Sequence, residues 1–313
     1  MRSKSYYKLL ILLLGLSLAA YANAQSEYYS VSSNKLTHYL GIALGGGEAN
    51  RLQPKNDAIK NKAGAAAAFA LHYEMQYRSW MWGFGLEGAY QLLMDQANAF
   101  SDGFDRLDID GEMVNYEYVY TAYKETTNTA HLRIPLYVGK RFKGVYTMLG
   151  VRFEIPLMAR YRVATTMHTQ GTYPWSISPV VSDEINDFSS LGFYPKQEYA
   201  YADTYSEKMH IAPFLEVGYE FYRTDKVNMR VGAYGAYALP LSKMADRKPL
   251  ADYSSIDTNP KTQKHANMEQ HLAWNPLADS DKYFSAPHRL EVGVKLTMLF
   301  NVTVENHKCM CVK

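Results

Sequence analysis

Eight segments of this chain alternate apolar residues with small or polar ones, and this alternation constrains the fold more than any other feature. In Ala65–Arg78 the odd positions are apolar or aromatic, as at Phe69 and Leu71, whereas the even positions pass from alanine to polar residues such as His72 and Glu74. A two-residue period over this length predicts a β-strand with two chemically different faces. The fold therefore depends on which solvent each face meets.

The connections between these segments alternate long and short. The segments cover approximately residues 38–46, 65–78, 81–93, 131–139, 145–157, 210–221, 227–237 and 290–300. Turns as short as Ser79–Trp80 require antiparallel hairpins. Membrane barrels combine short periplasmic turns with long outer loops. We therefore predict an all-β fold, an eight-stranded antiparallel transmembrane β-barrel with long extracellular loops and short periplasmic turns. The alternative is a secreted β-sandwich, in which the polar faces would meet water.

Aromatic residues on the apolar faces favour the barrel. Four of them cluster near the short turns, where they could form one interfacial girdle: Tyr77, Trp82, Phe221 and Phe300. The alternation of the fourth segment also extends back through Tyr120, Tyr118 and Tyr116, so this strand is expected to project well beyond the membrane.

The first residues predict export. Basic residues precede an apolar run, Leu9–Ala20, which ends in Ala22-Asn23-Ala24, and this pattern is typical of a secretory signal peptide. We therefore divide the chain into a signal peptide (1–24), a periplasmic lead (25–36), an outer-membrane barrel (37–300) and a periplasmic tail (301–313). Both mature termini are expected in the periplasm.

Composition excludes several classes of protein. Without Arg2, Lys4 and Lys8, 30 basic residues face 31 acidic ones, so charge gives no reason to expect a nucleic-acid partner. No later apolar run approaches the length of a transmembrane helix. The two cysteines, Cys309 and Cys311, are both close to the C-terminus, so no disulfide framework is expected.

Charged residues recur on the polar faces. An eight-stranded barrel encloses only enough space for side chains, and charges buried there must be paired. We therefore predict an ionic network that closes the lumen. Its expected members are His72, Glu74, Arg78, Glu87, Arg133, Arg152, Glu154, Glu216, Glu220, Arg230, Glu291 and Lys295. The alternatives are a narrow path for protons or small ions and a ligand pocket near the outer mouth.

Three other patterns carry weaker signals. The stretch Gly83–Gly88 matches G-x-G-x-x-G, but it lies inside a predicted strand with no helix after it, so we expect no dinucleotide site. The tail combines His307, Cys309 and Cys311, one ligand short of a typical structural zinc site. Together with nearby glutamates, three histidines could serve an enzyme site at the rim: His72, His131 and His210. We expect no cofactor, no metal and no enzymatic activity.

Aromatic residues among small polar ones mark the longest loop. Rigid amphipathic rings in such surroundings are good contact makers. The candidates for partner contact are Tyr173, Trp175, Phe193, Tyr194, Tyr199, Tyr201 and Tyr205. The alternative is a loop that only shields the barrel mouth.

The last strand carries a family resemblance. Its residues Glu291, Gly293, Leu296, Met298 and Phe300 resemble the signal that outer-membrane barrels present to their assembly machinery, although here the chain continues past Phe300. The stretch Leu132–Leu136 also looks like strands of such proteins. The chain thus resembles the small outer-membrane β-barrels of Gram-negative bacteria, the OmpA/OmpX-type and PorT-like group.

This resemblance implies outer-membrane lipid and the barrel assembly machinery as partners. Another envelope protein could bind through the loops or the tail. Our leading hypothesis is a structural or interaction protein that presents its tyrosine-rich loops to an external or membrane partner. The alternatives implied by the resemblance are an accessory subunit of an outer-membrane secretion or assembly complex and, less favoured, a lipid A-modifying enzyme.

Overall fold

The structure is a computed structural model of the full chain. It describes residues 36–52, 58–107, 111–181, 193–241, 251–252, 273–274, 276–277 and 288–303. The expected signal peptide, nearly all of the expected lead, and Cys309 and Cys311 lie outside these residues. Within the described part of the chain, no helix is long and apolar enough to cross a membrane.

The described residues form thirteen β-strands. They are β1 (Thr37–Arg51), β2 (Ile59–Tyr77), β3 (Trp80–Ala97), β4 (Phe100–Leu107), β5 (Met113–Phe142), β6 (Val145–Thr172), β7 (Val180–Val181), β8 (Gln197–Thr204), β9 (His210–Arg223), β10 (Val227–Pro240), β11 (Ala251–Asp252), β12 (Ala273–Trp274) and β13 (Arg289–Asn301). Strands β11 and β12 pair only with each other.

Eight strands close into a ring in the order β1-β2-β3-β5-β6-β9-β10-β13. Every pair is antiparallel, and β1 pairs with β13 from Tyr39 opposite Asn301 to Arg51 opposite Arg289. A closed ring leaves no unpaired strand edge in the wall. The prediction of an eight-stranded antiparallel barrel is confirmed, and Gly83–Gly88 lies within β3 as expected.

The short turns lie at one end of the barrel. The turn at Arg78 and Ser79 joins β2 to β3, that at Lys143 and Gly144 joins β5 to β6, and a three-residue turn joins β9 to β10. Arg78 and Lys143 adopt left-handed φ values of 54° and 49°, as tight hairpins require. The chain ends of the barrel are at this end too, because Val302 N–H donates to His38 O at 2.8 Å.

At the other end, two strands extend far beyond the ring. Strands β5 and β6 have 30 and 28 residues, and their distal halves pair with β4, β7 and β8. We call the described residues of this part, 100–107, 111–129, 159–181 and 193–204, the projecting sheet. The long loops expected after the third and fifth predicted strands are therefore wrong in part, because the described residues there include β4, β7, β8 and the distal halves of β5 and β6. The extension of this strand back through Tyr116–Tyr120 is confirmed. The expected alternation is not kept, because a register shift between Tyr120 and Ala122 places these tyrosines on the buried side.

Large apolar side chains are exposed on the outside of the ring. They include Leu40, Ile42, Leu44, Phe69, Leu71, Phe84, Leu86, Leu136, Val138, Leu149, Phe153, Leu157, Leu215, Val217, Phe221, Val231, Val292, Val294, Leu296 and Phe300. On β6 this apolar belt continues up to Met158. At ~3.3 Å per residue and the usual tilt of a barrel strand, Val145–Met158 rises roughly 30 Å, close to the thickness of a bilayer's hydrocarbon core.

Candidate functional site: a filled lumen beneath a projecting sheet

The lumen near the short turns is crossed by an arginine–glutamate pair. Arg230 donates to both carboxylate oxygens of Glu74, at 3.2 and 2.8 Å, and Tyr137 Oη and Gln76 Nε2 donate to the same carboxylate at 2.8 and 2.7 Å. The guanidinium also lies 4.9 Å from the ring centroid of Tyr146. The charges are thus compensated from several strands at once, as buried ions require.

Two more glutamates lie in the same part of the lumen, near the short turns, which we call its lowest level. Glu216 pairs with Lys295 and accepts a hydrogen bond from Tyr146 Oη at 2.8 Å. Glu220, nearest the turns, accepts from Asn228 at 3.0 Å. It also lies 3.4 Å from Arg141 and 3.3 Å from Arg223.

Arg133 is the centre of the middle level. This fully buried guanidinium contacts three carboxylates, those of Glu87 at 2.9 Å, Glu154 at 3.0 Å and Glu291 at 2.6 Å. Arg152 lies 3.5 Å from Glu291 and is flanked by the rings of Phe214 and Tyr234, 4.7 and 5.0 Å from their centroids. Arginine is suited to this position because its planar fork serves several carboxylates and also stacks on aromatic faces.

A loop residue closes the next level. Glu207, in the connection between β8 and β9, reaches Arg289 at 2.6 Å and His131 at 3.0 Å, while Arg289 also pairs with Glu154 at 2.8 Å. Burial opposes ionisation of the Glu207 carboxyl, but Arg289 and the hydrogen bond with His131 outweigh burial and lower its pKa to about 2. The loop is therefore held by an ionic clamp.

The highest level lies under the projecting sheet. Arg51 pairs with Asp95, lies 3.4 Å from Glu125 and donates to Thr127 at 3.1 Å. Glu125 also accepts from the backbone N–H of Leu277 at 2.9 Å. Polar contacts thus fill the barrel from the turns to its mouth.

The structure places most predicted network residues in the lumen. The buried or largely buried ones are Glu74, Glu87, Arg133, Arg152, Glu154, Glu216, Glu220, Arg230, Glu291 and Lys295, and His72 is partly buried beside them. The prediction for Arg78 is wrong. Strand β2 ends at Tyr77, so Arg78 lies in the turn, exposed, with its guanidinium 5.3 Å from the ring centroid of Tyr77.

Sequence reasoning missed several members of the network. These are Arg51, Asp95, Glu125, Arg141, Glu207 and Arg289. Extending the alternation of β1, β3, β5 and β13 by a few residues would have found Arg51, Asp95, Glu125 and Arg289. Glu207 lies in a loop, where no periodicity marks it.

The histidines lie inside the barrel rather than at an open rim. His131 and His210 are buried, and His131 contacts both Glu207 and Arg289. Among the described residues, no group of three or more His, Cys, Asp or Glu side chains is arranged to hold a metal ion.

The projecting sheet has its own apolar core. Phe100 stacks on Tyr120 with ring centroids 4.5 Å apart, and Tyr123 meets both rings edge-on. Further members of this cluster are Ile59, Tyr118, Tyr161, Val163, Met167, Tyr199 and Leu277. A second cluster joins Val114, Tyr116, Tyr173 and Phe193. The projecting sheet is therefore a packed structure.

This core corrects the expected contact residues. Tyr173, Phe193 and Tyr199 are buried, while Tyr194, Tyr201 and Tyr205 are partly buried against the first cluster. The rings of Tyr173, Phe193 and Tyr199 are therefore used inside the sheet, whereas the other three keep part of their surface exposed. Trp175 differs, since it is 70% exposed.

Trp175 belongs to an exposed apolar patch at the far tip of the projecting sheet. Its ring stacks on Tyr173, 5.0 Å between centroids, and its Nε1 donates to Glu112 at 3.1 Å. Three more apolar side chains are exposed at this tip: Met113, Ile177 and Val181. We call these four residues the tip patch.

The proposed assembly-signal residues divide between the two faces of β13. Glu291 is buried in the lumen, whereas Leu296 and Phe300 belong to the outer apolar belt. Gly293 lies opposite Gly47 on β1, and Met298 lies opposite Ile42.

Comparisons with known proteins assign no family to this chain. No protein-family model matches the sequence, and no curated protein matches it significantly. Among solved structures, the chain is similar to Ail, the attachment invasion locus protein of Yersinia pestis, in complex with the heparin analogue sucrose octasulfate. The identity is 11% and the TM-score 0.23, over 85% of this chain and 98% of Ail. The eight-stranded ring is defined by its own strand pairing.

Proposed function

We propose that this protein is an integral outer-membrane barrel that anchors a rigid, outward-facing interaction platform and does not form a channel. The observation that carries the proposal is a closed ring with an apolar exterior and an ionic interior, continued on one side by a packed sheet. The leader-like N-terminus is consistent with export.

The membrane location is supported by the apolar belt. Leu44, Leu149 and Leu157 are each more than 60% exposed, and an uninterrupted ring of such side chains is unfavourable in water. Aromatic residues at the turn end fit the interfacial girdle of such barrels, and those exposed there include Tyr77, Trp80, Phe142 and Phe221. Because short turns of these barrels face the periplasm, we place both chain ends there and the projecting sheet outside.

The platform is supported by the packing of the projecting sheet. Its two apolar clusters pack between strands that are continuous with the barrel wall. Met113 begins β5, Trp175 and Ile177 lie in the connection between β6 and β7, and the Trp175 ring stacks on Tyr173 of the second cluster. An exposed group of Trp, Ile, Met and Val side chains is typical of an interaction site. We therefore assign partner contact to Trp175, Ile177, Val181 and Met113.

Insertion is the first test. The mature protein is refolded with phosphatidylcholine vesicles, then analysed by flotation and by gel mobility with and without heating. We expect flotation with the vesicles and a faster band before heating. A protein that neither floats nor changes mobility would contradict the barrel-in-membrane proposal.

Partner contact is tested by photo-crosslinking in intact cells. A photoreactive amino acid replaces Trp175 in one variant and Lys196, an exposed polar position on the same sheet, in the matched control. Discrete protein adducts at position 175 but not at 196 would support the platform. If the adduct is a component of a secretion or assembly complex, the accessory role follows. Absence of adducts at both positions would contradict the proposed contact.

A further inference from the structure

Five cationic side chains form a band on the outer surface, on the projecting-sheet side of the apolar belt. They are Lys60 and Lys62 on β2, Lys124 on β5, and Arg160 and Arg162 on β6. All five are exposed, and the neighbouring residues along each strand point the other way, as the buried side chains of Ile59, Tyr123 and Tyr161 show. On β6, the band begins two residues after Met158, the last apolar residue of the belt.

Strand register brings these residues together. Lys124 pairs with Ala164, and Arg162 is two residues further along β6 on the same face, so Lys124 and Arg162 are diagonal neighbours with Cα atoms ~7–8 Å apart. Arg160 follows at about 7 Å along the strand. On the intervening strand β3, Gln96 pairs with Lys60 on one side and with Lys124 on the other. Met94 likewise pairs with Lys62 and with Thr126. The band therefore follows the circumference of the barrel across four strands.

The described residues offer the band no acidic partner. Within the described residues, none of the five side chains forms an ion pair. The band ends at β2, since the outward residue above the belt is the acidic Glu48 on the neighbouring strand β1 and the apolar Leu290 on β13. Among the described residues, the cations of the band thus lie on β2, β5 and β6.

We infer that this band binds phosphate-bearing lipid headgroups of the leaflet on the side of the projecting sheet. The inference rests on the proposed membrane location, which puts the band at headgroup level. Long basic side chains next to an apolar surface extend their charged ends into the headgroup region. Arginine also binds phosphate with paired N–H donors, and clusters of Lys and Arg at a membrane surface recognise anionic lipid.

The occupant is the phosphorylated glycolipid headgroup that an outer leaflet presents. Continuity with the apolar belt favours a lipid over a soluble anion, because the acyl chains would pack on Met158 and Leu157 while the phosphates meet Arg160 and Arg162. A headgroup with two phosphates fits a band of several cations better than one with a single charge.

The test uses native mass spectrometry of barrels taken from phosphatidylcholine vesicles that contain bis-phosphorylated lipid A. The test variant is K124Q/R160Q/R162Q. A charge-preserving variant, K124R/R160K/R162K, controls for changes in packing. A turn-end variant, R78Q/K140Q/K143Q, removes the same number of exposed cations elsewhere, and each of these three lies over an aromatic ring.

We expect the wild-type and charge-preserving barrels to retain lipid A. The neutral band variant should retain about 10-fold less, as expected for three lost surface attractions partly screened by salt. The wild-type protein should retain dephosphorylated lipid A as weakly as the neutral band variant retains lipid A. Equal retention by the wild type and the neutral band variant, or an equal loss in the turn-end variant, would overturn the inference. Failure to insert into phosphatidylcholine vesicles would instead count against the proposed function.

Discussion

Arg230 on β10 and Glu74 on β2 form a two-point ion pair across the lumen, with 3.2 Å between Nη1 and Oε1 and 2.8 Å between Nη2 and Oε2. Their strands are separated in the ring by β13 and β1. The pair therefore connects opposite parts of the wall through the interior, in addition to the backbone hydrogen bonds that run around the ring.

Removing one partner of this pair should destabilise the barrel strongly. In Glu74→Gln, Arg230 is left buried without its counterion, which costs ~3–5 kcal/mol. Replacing both residues, as in E74M/R230M, should recover much of that loss because no unpaired charge remains. The free energy of unfolding is measured by urea titration in phospholipid vesicles, with heat-modifiable gel mobility as the readout.

The matched control for this series is Glu198→Gln. Glu198 is exposed on β8, so its substitution should change the unfolding free energy by less than ~0.5 kcal/mol. An E74Q barrel as stable as the E198Q barrel would show that the lumen pair contributes little.

The filled lumen predicts the absence of a stable open channel. Arg133 and its three carboxylates occupy the middle of the barrel, and the Glu207 clamp lies above them. In planar bilayers, the wild-type protein should give no sustained conductance steps, whereas a 16-stranded porin in the same bilayers should conduct steadily. Large, reproducible steps from the purified barrel would contradict a closed lumen.

The Glu207 clamp should weaken in acid. The pKa of Glu207 is about 2 in the folded protein, against an ordinary value of 4.5, so its ionised form stabilises the fold at pH values above 4.5. This stabilisation, on the order of 3 kcal/mol, is lost as pH falls from 4.5 toward 2.

Glu207→Gln measures this effect. At pH 6 the variant should unfold at a lower temperature than the wild-type protein, and the difference should shrink as pH falls below 4.5. Thermal unfolding followed by circular dichroism at pH 6, 4 and 3 checks the trend. A constant difference at all three values would mean that ionisation of Glu207 does not hold the loop.

Gly171 should be intolerant of a side chain. A Cβ at this position would lie 2.2 Å from ring atoms of Phe193 and 2.8 Å from Val114. Gly171→Ala must therefore displace the second apolar cluster, at a cost of ~1–3 kcal/mol. Faster amide hydrogen exchange at Val114 and Tyr194, with unchanged exchange in β1 and β13, is the expected result.

Gly88 provides the comparison for this substitution. A Cβ there meets no atom within 4 Å, so Gly88→Ala should leave exchange in the projecting sheet unchanged. Similar exchange patterns in G171A and G88A would argue against close packing at Gly171.

Local periodicity made most of the barrel predictable. A strand with one lipid-facing and one lumen-facing side records both environments directly in its sequence, as Leu71 and Glu74 do on β2. The same rule assigned ten buried or largely buried charged residues to the interior. It failed at Arg78, because the exact residue at which a strand gives way to a turn depends on pairing with the next strand.

The packing of the projecting sheet was harder to predict from the sequence. Its tyrosines have the composition of a recognition loop, and only packing between distant segments, such as Phe193 against Gly171, shows that they form a core. Trp175 shares that composition and yet remains exposed.

The sequence by itself determined the strand faces, the ring of eight strands and the sign of the charges inside it, because each follows from the two-residue period of extended chain. Only the tertiary structure decided which charges form pairs and that Glu207 closes the lumen from a loop. It also decided that Lys124, Arg160 and Arg162 lie together in the outer band. These facts depend on the register between strands far apart in sequence, which no local pattern encodes.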